Sequence, residues 1–290
     1  MSRAWTLEDA ERHLLSLELF GMRFGLDRMR RLMTALGSPQ ERFGSIHVVG
    51  TNGKSSTARM AAAILEAEGV HTATYLSPHL GSFTERVRIG DHDSEPERFA
   101  AAVQRAAGAA EKVDRTLQPG DRVTQFEVLT AAAYAAFADA GVELAVVEAG
   151  LGGRYDATSV IASTVQVLTN VGLEHTRWLG PTVADIAAEK LAVVRDGATL
   201  VVGADLHADA AALAREVCAA RGARLVVAPR ERPRPLWRSA PPVPSSGATS
   251  LSRSRPPRGG SGAVRTTRAS ARRLPRRSCP AASRSSGMTR

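Results

Sequence analysis

Residues 45–56, Ser45-Ile46-His47-Val48-Val49-Gly50-Thr51-Asn52-Gly53-Lys54-Ser55-Ser56, constrain this chain more than any other stretch. An apolar run, a glycine-punctuated loop and a helix-forming segment follow one another without a gap. A phosphate-binding loop is built from these three parts in this order. Gly50 and Gly53 put no side chain between backbone and anion. Loop amides and the helix N-terminus supply donors and the positive end of a dipole. Lys54 supplies a compact charge, and a hydroxyl from Ser55 or Ser56 suits Mg2+. The full phosphate-loop signature has a glycine five residues ahead of the Gly-Lys pair, and Val48 stands there. The competing reading is an ordinary strand-to-helix turn. Residues 58–65 favour the phosphate loop, because they continue as a strong helix that stops at Gly69.

Ahead of this stretch, Thr6-Leu7-Glu8-Asp9 reads as a capping box opening a helix whose Leu14, Leu15, Leu17 and Leu19 face a core. Phe20 to Leu26 is a glycine-hinged connection to a second helix, 27–36, stopped by Gly37 and Pro39. After the loop, strands are expected at 71–77, 143–148, 164–169, 198–202 and 224–228. Helices are expected at 96–117, 124–140, 182–194 and 208–220. The alternation predicts an α/β fold, a parallel sheet with helices on both faces. Ligands bind such a sheet beyond the carboxyl ends of its strands. The lysine loop, Ser77-Pro78-His79, Glu148 and His175 all fall at such ends. Glu148 and His175 are expected on neighbouring strands.

The net charge of +9 comes from one region. Residues 1–230 carry 24 Lys and Arg against 28 Asp and Glu. Residues 231–290 carry 14 Arg, 9 Pro and 12 Ser, with Glu231 the sole acid and Trp237 the sole aromatic. That composition does not bury enough apolar surface to offset chain entropy, so 231–290 is expected to be disordered and 1–230 to be the folded domain. Cys218 and Cys279 form no disulfide framework and no metal spacing. With no apolar run long enough for a signal or a span, the expectation is a cytoplasmic chain without membrane contact.

Ser77, Glu148 and His175 offer two oxygens and a nitrogen to a metal beside the phosphate loop. Against this, a histidine after a strand is commonly a loop residue, and a strand-end acid commonly a cap or ion-pair partner. Gly150-Leu151-Gly152-Gly153-Arg154-Tyr155-Asp156 follows Glu148 directly. Its glycines admit a ligand to the backbone, and Arg154 suits a phosphate or carboxylate. The alternative is a flexible turn with a surface arginine.

Four longer motifs resemble the folylpolyglutamate synthase/dihydrofolate synthase branch of the Mur ligases. They are Gly50–Lys54, Ser77-Pro78-His79-Leu80, Glu148–Thr158 and Gly172-Leu173-Glu174-His175-Thr176. Phe20–Leu26 and Ile186-Ala187-Ala188-Glu189-Lys190 are also similar. The resemblance implies an ATP-dependent ligase that joins L-glutamate to dihydropteroate or tetrahydrofolate through an acyl phosphate. It implies ATP-phosphate binding by Gly50, Thr51, Asn52, Gly53, Lys54, Ser55 and Ser56. It implies Mg2+ at Ser56, Ser77, Glu148, His175 and a carbamylated Lys190, with Lys54, Lys190 and His175 in catalysis. Thr124, Gln125, Phe126 and Glu127, with Arg154, Tyr155, Asp156 and Ala157, match segments that hold the pteroate or folate substrate. The implied partners are these small molecules, with no nucleic acid, and the implied state is a monomer. Ser55, Glu174 and Ser159 depart from the usual Gly, Asp and Asn. The family's first domain continues past the point matching Arg230 and a second α/β domain follows. The tail here instead has the composition of a GC-rich gene read out of frame, and weak or absent ligation by this chain is expected. Two other readings remain open: another phosphate-loop NTPase or kinase, and a nucleic-acid binder using the basic tail.

Overall fold

The computed structural model describes residues 3–19 and 25–229. The expectations for residues 20–24 and for 231–290 lie outside the described residues. The apolar run ahead of the lysine loop forms β1 (Gly44–Val49), which lies inside the sheet with a parallel neighbour on each side. Six parallel strands run in the order β2 (Thr72–Tyr75), β5 (Leu144–Glu148), β1, β6 (Val165–Leu168), β7 (Thr199–Val202) and β8 (Arg224–Val227). β3 (Val87–Ile89) and β4 (His92–Asp93) add an antiparallel edge beside β2. The sequence reading missed these two, because three and two residues are too few to show a period of two.

Helices cover the sheet according to which face each strand residue presents. On one face Val48 and Val146 pack with Ala58 and Ala62 of α3 (Lys54–Ala67). On the other, Ala73, Tyr75, Ala145 and Val147 pack against α4 (Pro96–Asp114) and α5 (Gln125–Asp139). Leu168, Leu200 and Val202 pack against α7 (Val183–Leu191) and α8 (Ala208–Ala220). Alanine lines both α4 and α5, so the two helices approach closely, and α5 is buried nearly all round. Phe99, Leu129 and Phe137 are almost wholly out of water, and burying each stabilises by about 1.5–3 kcal/mol.

At the N-terminus, α1 (Leu7–Ser16) opens on the expected box, with Asp9 N–H donating to Thr6 Oγ1 and Thr6 N–H to the Asp9 carboxylate. Ala10 and Leu14, one turn apart, are buried. Leu15 and Leu19 are 69% and 51% exposed, against the expectation that both face the core. One residue along a helix is a turn of about 100°, which carries Leu15 away from the stripe, and Leu19 lies past the helix end. α2 (Asp27–Ala35) buries Met29, Leu32 and Met33 and is followed by Gly37 at φ 78°.

From β1 the chain crosses to β2 on one side, while β6 lies on the other. The strand order therefore reverses above β1, where open α/β sheets bind ligands. β1 also separates β5 from β6, which corrects the expectation that Glu148 and His175 follow neighbouring strands.

Candidate functional site

The loop between β1 and α3 is stitched to the end of β6. Thr51 N–H donates to Asn170 O (3.1 Å) and Asn52 N–H to Asn170 Oδ1 (2.8 Å). Thr169 Oγ1 donates to Asn52 O (2.7 Å), and Gly172 N–H donates to Thr51 Oγ1 (3.0 Å). Gly50 has φ 148°, and a Cβ there would run into Thr169 Oγ1, so glycine is required twice over. α3 starts with Gly53 as its N-cap and no side-chain cap. The N–H groups of Lys54, Ser55 and Ser56 have no hydrogen-bond partner among the described residues. Lys54 Nζ folds back on its own loop, donating to Gly50 O (3.0 Å) and Thr51 O (3.2 Å). A lysine ammonium held on the loop that leads into a run of open helix-start amides has the chemistry of an anion cradle.

Glu148 ends β5 at 2% exposure. It accepts from Ser55 Oγ (3.0 Å) at one oxygen and from Ser77 N–H (3.1 Å) at the other. Burial raises its pKa, against those two bonds and the nearby Lys54 charge. Ser55 is thus the hydroxyl beside the acid, while the hydroxyl of the exposed Ser56 has no partner among the described residues. Ser77 precedes a cis peptide to Pro78. His175 is exposed, takes the left-handed conformation (φ 45°) and caps α6 (Thr176–Leu179). Among the described residues, no hydrogen bond joins it to Glu148 or Ser77. Lys190, in the last turn of α7, is 1% exposed and donates to Gly50 O (2.9 Å) and Glu174 Oε1 (2.6 Å). Burial lowers its pKa and Glu174 opposes that. As a free amine it is a donor that ties the phosphate loop to the segment carrying His175.

The residues expected at the substrate divide sharply. Glu127 accepts from Thr124 N–H (2.8 Å), Thr124 Oγ1 (2.9 Å) and Arg28 Nε (3.2 Å), all buried, and Gln125 Nε2 donates to Leu14 O (2.8 Å). Asp156 accepts from Leu151 N–H (2.7 Å) and Thr158 Oγ1 (2.5 Å), and burial raises its pKa. Their polar atoms are engaged inside the protein. Ala157 is buried in a short 3-10 turn, and Arg154 Nε pairs with Glu189 (2.9 Å) on α7. Phe126 presses its ring on Gly150, where a Cβ would come within 2.6 Å of it. Tyr155 stays 52% exposed. Sequence reasoning passed over Thr169 and Asn170, a polar pair set straight after an apolar strand end. It also passed over His47, whose Nε2 meets Thr158 Oγ1 (2.9 Å) beneath the sheet.

Among the described residues no three His, Cys, Asp or Glu side chains cluster as a metal cage. One buried carboxylate with the Ser55 hydroxyl on it is a hard-oxygen set. It fits Mg2+, which keeps waters and binds largely through substrate phosphates.

A match to the Mur ligase middle domain runs over residues 48–221, which takes in the loop, Ser77, Glu148, His175 and Lys190. The chain belongs to the Mur ligase middle-domain family. Within the family, it is 43% identical over 174 residues to the dihydrofolate synthase/folylpolyglutamate synthase of Mycobacterium tuberculosis, covering 58% of this chain and 36% of that protein. The Bacillus subtilis protein of the same name is 36% identical over 185 residues, 63% of this chain and 42% of that one. The Mycobacterium tuberculosis folylpolyglutamate synthase complexed with ADP superposes with a TM-score of 0.71 at 36% identity, covering 76% of this chain and 50% of that one. The Mur ligase chain described here therefore spans between about a third and half the length of these relatives.

Proposed function

We propose that this Mur ligase chain binds ATP and Mg2+ and serves an amide ligase that adds L-glutamate to dihydropteroate or tetrahydrofolate. The observation that carries the reading is the run of unpartnered amides at Lys54, Ser55 and Ser56, set between Lys54 Nζ and the buried Glu148. In the reaction a substrate carboxylate oxygen takes the terminal phosphoryl group of ATP and ADP leaves. The glutamate nitrogen then bonds to the acyl carbon, loses a proton, and phosphate departs. Gly50 to Ser56 would hold the phosphates. Mg2+, when bound, offsets charge on the transferring group. Ser77, Glu148, His175 and Ser56 or Ser55 are the side chains offered to it, with Lys190 if carbamylated. Phe126 and Tyr155 offer apolar surface to a flat heterocycle. The names of the relatives support the substrate assignment. The reading makes the enzyme a cytoplasmic monomer working on small molecules, with neither nucleic acid nor membrane as partner. No helix among the described residues is long and apolar enough to cross a membrane.

Titration calorimetry with ADP and Mg2+ tests the reading. Lys54→Ala removes a charged donor, a contact worth about 1.5–3 kcal/mol, so ADP affinity should fall tenfold or more. Unchanged affinity would sink it.

A further inference from the structure

Asn170 has one side-chain atom committed and one without a partner. Its Oδ1 accepts from Asn52 N–H at 2.8 Å, and its backbone oxygen accepts from Thr51 N–H at 3.1 Å. A backbone N–H only donates, so the atom facing it is the amide oxygen, and the orientation of the group is fixed. Nδ2, with two N–H donors, then bonds to nothing among the described residues. The same contact takes Asn52 N–H away from any ligand and leaves the open donors at Lys54, Ser55 and Ser56. Thr169 Oγ1, donating to Asn52 O at 2.7 Å, braces the loop from the other side of the same peptide region.

We propose that Asn170 is a phosphate-contacting residue: Oδ1 clamps the loop at Asn52, and Nδ2 donates to a phosphate oxygen of the bound nucleotide. The proposal rests on the nucleotide reading above and extends the anion site across the switch point, from β1 to the end of β6. Two neighbouring strand ends then grip one phosphate chain. A half-buried position suits the role, since the group is held by its oxygen yet stays within reach of solvent.

The experiment is calorimetry of ADP with Mg2+ on the whole chain, with the ligand-free melting temperature measured alongside. Asn170→Asp keeps an acceptor for Asn52 N–H and replaces the free donor by a carboxylate oxygen. It should melt near the wild type and bind ADP at least tenfold more weakly. Asn170→Ala loses clamp and donor together and should bind more weakly as well. Because the aspartate charge by itself repels a phosphate chain, the deciding readout is the Asn170 side-chain amide 1H–15N resonance, assigned by its loss in Asn170→Asp. It should shift on adding ADP with Mg2+, and an unmoved resonance, or wild-type ADP affinity in the aspartate variant, overturns the proposal. If Asn170→Ala fails to fold, the resonance decides alone. A wild-type chain that binds no ADP overturns both this proposal and the nucleotide reading. Wild-type binding with an unaffected aspartate variant overturns the Asn170 role alone.

Discussion

His47 lies on β1, three residues ahead of the phosphate loop, at 1% exposure. Burial, with a smaller contribution from the Arg195 charge, pushes its pKa from 6.5 down to about 3. The unfolded chain takes up this proton near 6.5 and the folded chain near 3. Between those values the unfolded state binds more protons, so lowering the pH costs stability, by at most about 1.4 kcal/mol per pH unit from this residue. Asp156 and Glu148 act with the opposite sign. Burial raises both, so the stability they confer belongs to low pH and is lost as pH rises through their folded-state values. His47→Gln keeps a polar partner for Thr158 and does not titrate. Its unfolding free energy, from urea melts between pH 6.5 and 4, should fall less steeply than that of the wild type, and equal slopes would refute the account. This residue also shows where legibility ends. Lys54 and Glu148 were readable because a motif or a strand end marks them. In the sequence His47 is one polar residue inside an apolar run, and its partner Thr158 is 111 positions away.

At the scale of elements, apolar runs and caps were enough to find the parallel strands and the longer helices. Only pairing could show which strand lies beside which, and that decides the geometry of the site. The start of α5 is a case where the helix was legible and the packing of its first turn was not. Thr124 to Glu127 is a capping box in which Glu127 N–H donates to Thr124 Oγ1 and the carboxylate takes the N–H and hydroxyl of Thr124. The same carboxylate meets Arg28 on α2, and Arg28 Nη1 also meets Asp121 (2.8 Å). Glu127 thereby locks α5 to α2 within the core. Glu127→Gln removes a buried charge facing a buried guanidinium and weakens the cap. The loss should be about 2–4 kcal/mol, from an N-terminal cap near 1 and a broken buried pair partly rescued by Asp121. The affinity for ADP should stay within twofold, because this network sits on α2 and α5 rather than on the phosphate loop. Thermal unfolding and calorimetry on the same sample check both halves. A stable variant with impaired folate-dependent turnover would instead place Glu127 at the substrate.

At the scale of the molecule, nucleotide binding and glutamate transfer are expected to separate. Every element of the anion cradle lies within residues 48–221, the span matched by the Mur ligase middle domain: the loop, the start of α3, the ends of β5 and β6, and Lys190. Cradle geometry is held by backbone bonds and a buried ion pair rather than by a ligand, so the loop is expected to keep its shape before a nucleotide binds. Half of the Mycobacterium tuberculosis chain seen with ADP has no counterpart in the superposition. The resemblance to folylpolyglutamate synthases implies ligation between two domains, of which the matched span would be the first. Bringing an amine against an acyl phosphate depends on groups fixed in orientation on both sides, and such positioning supplies about 7–11 kcal/mol of a barrier. This 290-residue chain, assayed by itself, should therefore show saturable Mg2+–ADP binding. At ADP a hundred times the dissociation constant, that binding should stabilise the fold by about 2.7 kcal/mol. Under the same conditions ADP release with ATP, glutamate and dihydropteroate or tetrahydrofolate should be at least a hundredfold slower than for the Bacillus subtilis relative. Turnover on a par with that enzyme would show that the matched portion holds the whole catalytic machinery, and loss of ADP stabilisation would show that the cradle is not preformed.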